Sequence, residues 1–291
     1  MSLEVVSHRT AGSFLDRSEG WLLEAEDLNN LVLSLTYGVV EEQGAATTVE
    51  PRPDPSEPFF ATVEEAGRVV GAVFRSPPHQ VLLTDMPSGA AAAVARRVAD
   101  AYPAVPAVLG PPTLAESFAR EWVSLRGGEA HPGTEQRLYR VDEVTPLPAP
   151  GRLRTAGLED ADQAAEWAGA FSAELRMHFT PSPGRVADWL DRGQIYLWED
   201  GGEAVSMAVA HGRTRRGARV GYVYTPPDRR RRGYAGACVA ELSRRLLDSG
   251  LAFCVLYADL SNPTTNALYQ RMGYRAVADV LDFHLHREAP R

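Results

Sequence analysis

The sequence predicts a mixed α/β (α+β) fold in two tandem halves, each a sheet flanked by helices. Three observations carry this expectation. A Pro-rich, uncharged stretch, Thr145-Pro146-Leu147-Pro148-Ala149-Pro150-Gly151, divides the 291 residues near their middle. On either side of it, short apolar runs of strand length alternate with longer segments of helical period. The order of these segments after the linker repeats the order before it. The expected domains are therefore residues 1–145 and 146–291.

In the first half, residues 69–74 and 80–84 read as paired strands. Met86-Pro87 makes a turn, and an Ala-rich helix runs from Ala90 to Tyr102. Ala107-Val108-Leu109 is a short strand, residues 114–125 a helix, and residues 136–141 a closing strand. The second half opens with a strand at Arg152-Leu153-Arg154. A helix from about Asp160 to Arg176 carries Trp167, Ala170, Phe171 and Leu175 on one face. A short helix follows near residues 186–191, then strands at 195–198, 204–211 and 219–225. Ala235, Val239, Leu242 and Leu246 form the apolar stripe of a helix that stops at Gly250. Residues 253–257 are a continuous apolar run, hence a buried central strand. Residues 264–272 are helical with Gly273 as the stop, and residues 280–286 alternate as a last strand.

Composition excludes several function classes. The net charge of −8, from 38 acidic against 30 basic residues, disfavours nucleic acid as a partner, because such binding rests on phosphate neutralisation. No run approaches the roughly 18 apolar residues that a membrane span needs. The N-terminal segment lacks the apolar core of an export signal. Cys238 and Cys254 lie in apolar surroundings and read as small core residues, which fits a reducing, cytoplasmic setting. The sequence carries no mark of oligomeric state.

The chemistry concentrates between residues 223 and 236. Val223, Tyr224 and Thr225 end a strand, and Pro226 and Pro227 stiffen a turn that lacks N–H donors. Asp228 and the run Arg229 to Arg232 follow, then Gly233, Tyr234, Ala235 and Gly236 at the start of a helix. A small-residue loop at a helix N-terminus aims several N–H groups one way, and the helix dipole adds positive charge. The arginines add full charge, so this is a cradle for a phosphate or diphosphate on a small molecule. Gly233 and Ala235 leave room for such a group to approach the backbone.

A second motif follows about 25 residues later: Asp259-Leu260-Ser261-Asn262-Pro263-Thr264-Thr265-Asn266-Ala267-Leu268-Tyr269, closed by Gly273-Tyr274. Together with Arg230-Arg231-Arg232-Gly233-Tyr234-Ala235, of the pattern Arg/Gln-x-x-Gly-x-Gly/Ala, it resembles the GCN5-related N-acetyltransferase (GNAT) superfamily. The residue-level match spans roughly 219–286, and the element order extends it over the second half. The resemblance implies mostly antiparallel, twisted sheets flanked by helices. It implies acetyl-CoA as cosubstrate and no metal. Its diphosphate would lie on Arg230, Arg231, Arg232, Gly233, Tyr234, Ala235 and Gly236, and its pantetheine arm along Val223, Tyr224 and Thr225. Asn262 either offers its amide to that arm or makes an Asx turn before Pro263.

The same resemblance makes Tyr269 the general acid that protonates the departing thiolate after direct attack by an amine. A phenol of ordinary pKa, about 10, is protonated at pH 7 and suits that role. The plain alternative is a core aromatic. The general base is not visible: Glu174, His178, His211, His284 and His286 are each open to it. Trp167, Phe171 and Trp189 either line an acceptor pocket or pack in the core. The first half departs from the pattern. It has Ser88-Gly89-Ala90-Ala91 at the cradle position and Phe118 at the tyrosine position, so it reads as a degenerate copy. The expected activity is acetyl transfer to a primary amine of a small molecule or peptide. A non-catalytic acyl-CoA sensor and an acyltransferase with another donor are the alternatives.

Overall fold

A computed structural model describes residues 2–43, 56–175, 177 and 179–286. The first half contains β1 (Leu3–His8), α1 (Ala11–Glu24), α2 (Asn30–Gln43), β2 (Phe59–Glu65), β3 (Arg68–Arg75), β4 (Val81–Leu83), α3 (Ala90–Ala101), β5 (Ala107–Gly110), α4 (Pro112–Arg126) and β6 (Glu129–Val141). The second contains β7 (Arg152–Thr155), α5 (Ala161–Glu174), α6 (Pro183–Asp191), β8 (Ile195–Asp200), β9 (Glu203–His211), β10 (Gly217–Tyr224), α7 (Tyr234–Asp248), β11 (Phe253–Asp259), α8 (Pro263–Arg271) and β12 (Arg275–His286). The two series have the same order, so the repeated plan extends to elements the sequence pattern did not mark. Those lie before residue 69. α1, for example, starts at Thr10, whose hydroxyl accepts from the Ser13 N–H at 2.9 Å.

Two compact units emerge: residues 1–137 with 278–291, and residues 138–277. β6 therefore begins in the first unit and ends in the second, while β12 does the reverse. In the first unit the strand order is β1-β2-β3-β4-β5-β12-β6. The β1/β2, β2/β3, β3/β4 and β5/β12 pairs are antiparallel, and β4/β5 is parallel. α3 and α4 cover one face around Val94, Val98, Phe118 and Trp122, whereas α1 and α2 cover the other around Phe14, Leu22, Leu33 and Phe60.

In the second unit β7, β8, β9 and β10 form an antiparallel series, and β11 joins β10 in parallel. One face packs on α7 and α8 through Val220, Cys238, Val239, Leu242, Leu256 and Met272. The other packs on α5 and α6 through Trp167, Trp189, Leu197, Met207 and Val209. Cys238 and Cys254 are buried free thiols, and burial pushes each up to about 12. Among the described residues no helix is long and apolar enough to cross a membrane.

The corner where β7, β8 and α5 meet depends on one ion network. Arg154 forks onto Asp160 at 2.6 and 2.7 Å and reaches Glu199 through Nε at 2.9 Å. Asp160 is buried and also accepts from the Gly157 N–H at 2.8 Å. The Arg154 guanidinium holds its carboxyl below the usual range. Its stabilising contribution is thus present above the unfolded pKa of about 4 and lost as pH falls through the lower folded value. Asp160→Asn is expected to lower unfolding stability by about 1–3 kcal/mol at pH 7, read by urea denaturation. The difference from wild type should shrink as the pH approaches 3.

Candidate functional site

β10 runs beside β11 only briefly. The ladder joins Gly217, Ala218 and Arg219 to Phe253, Cys254 and Val255 and goes no further. Just beyond it, the register of β10 with β9 shifts between Gly221 and Tyr224, and Tyr222 has φ 49°. A bulge of this kind bends its strand and ends local pairing. β10 and β11 therefore part after Arg219, and the backbone of Val223 has no ladder partner on the β11 side. A slot results, open toward Thr225 at one end.

The loop expected to cradle a phosphate lies at that end. Arg231 and Gly233 both have positive φ, 63° and 87°. Gly233 caps α7 without any side-chain hydrogen bond, and the first helical bond runs from the Ala237 N–H to the Gly233 carbonyl at 3.0 Å. The N–H groups of Tyr234, Ala235 and Gly236 have no acceptor among the described residues. Three donors at the positive end of a helix of this length are suited to an anion.

The arginines divide into two pairs. Arg229 bonds to Glu203 at 2.7 Å, and Arg230 to Glu174 at 2.5 Å and to the Thr225 carbonyl at 2.8 Å. Arg230 also lies 5.8 Å from the Tyr224 ring centroid. These two brace the loop. Arg231 and Arg232 are exposed and have no carboxylate partner among the described residues, so their charge faces outward. The other expected members sort by what they touch. Tyr234 turns its ring inward and donates to Asp200 at 2.6 Å, leaving only its backbone at the cradle. Gly236 is small for packing: a Cβ there would stand 3.0 Å from Leu268 and 3.1 Å from Leu147. The linker thus runs along the first turn of α7, with Ala149 3.5 Å from a Cβ placed on Gly233.

Asn262 caps α8, its Oδ1 accepting from the Thr265 N–H at 3.1 Å. That is the Asx-type role, and its Nδ2 remains available, so the two expected roles are compatible. Asn266 went unmarked by the sequence motif. Its Nδ2 donates to the carbonyls of Asp259 and Asn262 at 2.8 and 2.7 Å, and its Oδ1 accepts from the Tyr139 hydroxyl at 2.8 Å. It locks the start of α8 to the end of β11 and to β6. Only its i+4 spacing from Asn262 hinted at this.

Tyr269 lies one turn further along α8, buried between Tyr139 and Tyr274 with ring centroids 6.3 and 5.9 Å away. Burial pushes its phenol up to about 12, and its hydroxyl has no hydrogen-bond partner among the described residues. Tyr274 is structural: its hydroxyl pairs with Ser243 Oγ at 2.7 Å.

The opposite face of the slot is aromatic. Tyr222 stands 4.8 Å from Trp189, 5.1 Å from Phe171 and 5.7 Å from His211 between ring centroids. Trp167 and Trp189 are buried in the core, and Phe171 is only partly covered. Among the open base candidates, Glu174 is tied to Arg230, and His284 and His286 lie in the first unit. His178 and Arg176 lie outside the described residues. At the corresponding place the first half lacks the positive-φ glycine. Gly89 precedes α3 with φ −74°, and the Ala90 N–H is already bonded to the Pro87 carbonyl at 2.8 Å. Phe118 is fully buried and stacked on Trp122. Among the described residues no cluster of three or more His, Cys, Asp or Glu side chains is placed to hold a metal ion.

Comparison with known proteins places this geometry. Residues 164–274 match the acetyltransferase (GNAT) family. A search of curated proteins finds no match. Among solved structures, a Drosophila protein has a TM-score of 0.70 at 14% identity, covering 98% of this chain and 100% of that one. A GCN5-related N-acetyltransferase from Sphaerobacter thermophilus has a TM-score of 0.57 at 14% identity, covering 97% and 94%. A tandem GNAT protein from the clavulanic acid biosynthesis pathway has a TM-score of 0.52 at 12% identity, covering both chains fully. The fold is that of tandem GNAT proteins. The match to the GNAT family model lies wholly in the second half.

Proposed function

We propose that this protein is an N-acetyltransferase that moves the acetyl group of acetyl-CoA to a primary amine of a small molecule or peptide in the cytoplasm. One juxtaposition supports the reading above all others. In a single unit, a cradle of three open N–H donors, a parted strand pair and a buried, protonated phenol follow one another along the path of a CoA thioester. In this reading residues 146–291 form the catalytic domain, and residues 1–145 a degenerate copy without a cradle.

The diphosphate would accept from the N–H groups of Tyr234, Ala235 and Gly236, with Arg231 and Arg232 adding charge. The pantetheine arm would follow Val223, Tyr224 and Thr225, with the Asn262 amide as a further donor. The amine nitrogen attacks the thioester carbonyl carbon, the C–S bond breaks, and Tyr269 gives its proton to the leaving sulfur. Desolvation raises the proton affinity of a thiolate as it raises that of the phenol, so the two remain matched in a dry slot.

The direct test is thiol release from acetyl-CoA with a panel of primary amines, alongside calorimetric CoA binding. Turnover with at least one amine is expected. Tight CoA binding without turnover on any amine would replace this reading with that of an acyl-CoA sensor. The double variant Arg231→Ala, Arg232→Ala is expected to raise the KM for acetyl-CoA about 3- to 10-fold and to flatten its salt dependence. Exposed charges act through a screened field, so kcat should stay within about twofold.

A further inference from the structure

The residue that takes the proton from the attacking amine has so far no place in this scheme. We propose that His211 is that proton acceptor, held at the point where β10 and β11 part. The proposal rests on the acetyltransferase reading and deepens it.

His211 is the last residue of β9, directly opposite Arg219, the last residue of β10 still paired with β11. It therefore sits level with the closed end of the slot. Met207 and Val209 precede it at two-residue steps on the face covered by α5 and α6. Tyr269 belongs to the other face, with α7 and α8. A thioester in the slot would thus have a proton donor for its sulfur on one face and His211 on the other. An amine attacking the carbonyl from the aromatic side would arrive beside the contacting rings of Tyr222 and His211.

The local sequence makes room for this. A Cβ on Gly221 would come within 2.6 Å of His211 Nε2. Glycine at the bulge lets the imidazole nitrogen lie against the backbone of β10. The ring is fixed by Trp189 at 5.8 Å and Tyr222 at 5.7 Å between centroids, and no hydrogen bond with any described residue occupies its nitrogens. The charged or titratable groups that bear on it are Arg219 and Tyr222 of β10 and Arg185 of α6. Burial first, and the two arginines second, hold the imidazole well below its usual range, so it is neutral at pH 7. Among the other candidates within the second unit, Glu174 is held by an arginine.

The step balances. The nitrogen lone pair forms the C–N bond, the C–S electrons leave with sulfur, Tyr269 protonates that sulfur, and the amine's surplus proton passes to His211. The products are the amide and CoA thiol.

His211→Asn tests the assignment. At pH 7 kcat is expected to fall about 10²-fold, with the acetyl-CoA KM within about twofold. The deficit should shrink as pH rises, because hydroxide then takes the surplus proton in the imidazole's place. Added imidazole should restore turnover to His211→Ala. A kcat within about threefold of wild type overturns the proposal, as does a deficit that is the same at every pH with no rescue. Either result leaves the acetyltransferase reading standing. Absence of turnover in the wild-type protein with every amine removes both. Should the His211 variants fail to fold, Gly221→Ala displaces Nε2 while keeping the imidazole, and the same pH-dependent loss is expected; unchanged kcat there overturns the assignment.

Discussion

Tyr269→Phe is expected to lower kcat about 10²-fold or more, with CoA binding and thermal stability unchanged. The substitution removes one oxygen and keeps the ring between Tyr139 and Tyr274. The hydroxyl makes no hydrogen bond among the described residues, so its loss removes no protein contact. Tm should therefore hold or rise slightly. That combination separates the two roles the sequence left open. A core aromatic would show little change in either quantity, and a proton donor shows a catalytic loss alone. The loss should also depend on the leaving group. An acetyl thioester of a more acidic thiol needs less help as sulfur departs, so the gap between wild type and variant should narrow with it. A gap that ignores the thiol would sink the acid role.

The second large effect is expected at the cradle. Gly233→Val should raise the KM for acetyl-CoA at least about 10-fold while kcat at saturation changes little. Gly233 has φ 87°, a region that costs an L-residue roughly 1–2 kcal/mol, and a β-branched one more. The new side chain also meets Ala149 and the Pro148 carbonyl, 3.5 and 3.6 Å from its Cβ. The loop relieves both strains by re-aiming the N–H groups of Tyr234, Ala235 and Gly236, and an anion site depends on their common direction. Gly236→Ala is the contrasting case. Its Cβ presses on the ends of Leu268 and Leu147, which are flexible side chains, so a much smaller change follows. Equal effects at the two glycines would show that the cradle acts only through packing.

Much of this site was legible before the structure. The pattern Arg230 to Ala235 marked a small-residue loop at a helix start, because a loop of that kind is decided within a few residues; the positive φ of Gly233 came from the structure. The stripe of α7, the stop at Gly273 and the linker were equally local. The parting of β10 from β11 was not. It depends on a bulge whose register shift is defined by β9. Asn266 was missed because its partners include Tyr139, 127 positions away. The arginine run read as four equivalent charges, yet Glu203 and Glu174, far off in sequence, hold two of them. The elements before residue 69 were missed for a different reason: α2 is apolar around much of its surface, so its period is weak.

By itself the sequence determined the repeated order of elements, the cradle and its glycine, the buried cysteines and the tyrosine on the short helix. These follow from backbone preferences and apolar periodicity, which act over a turn or two of chain. The tertiary structure alone decided which groups are dry and which are paired. It buried the ring of Tyr269, tied Arg229 and Arg230 to carboxylates, and set His211 against Gly221 where β10 and β11 part. Burial and long-range pairing arise only when distant segments meet, and they govern whether a phenol keeps its proton and an imidazole stays ready to accept one.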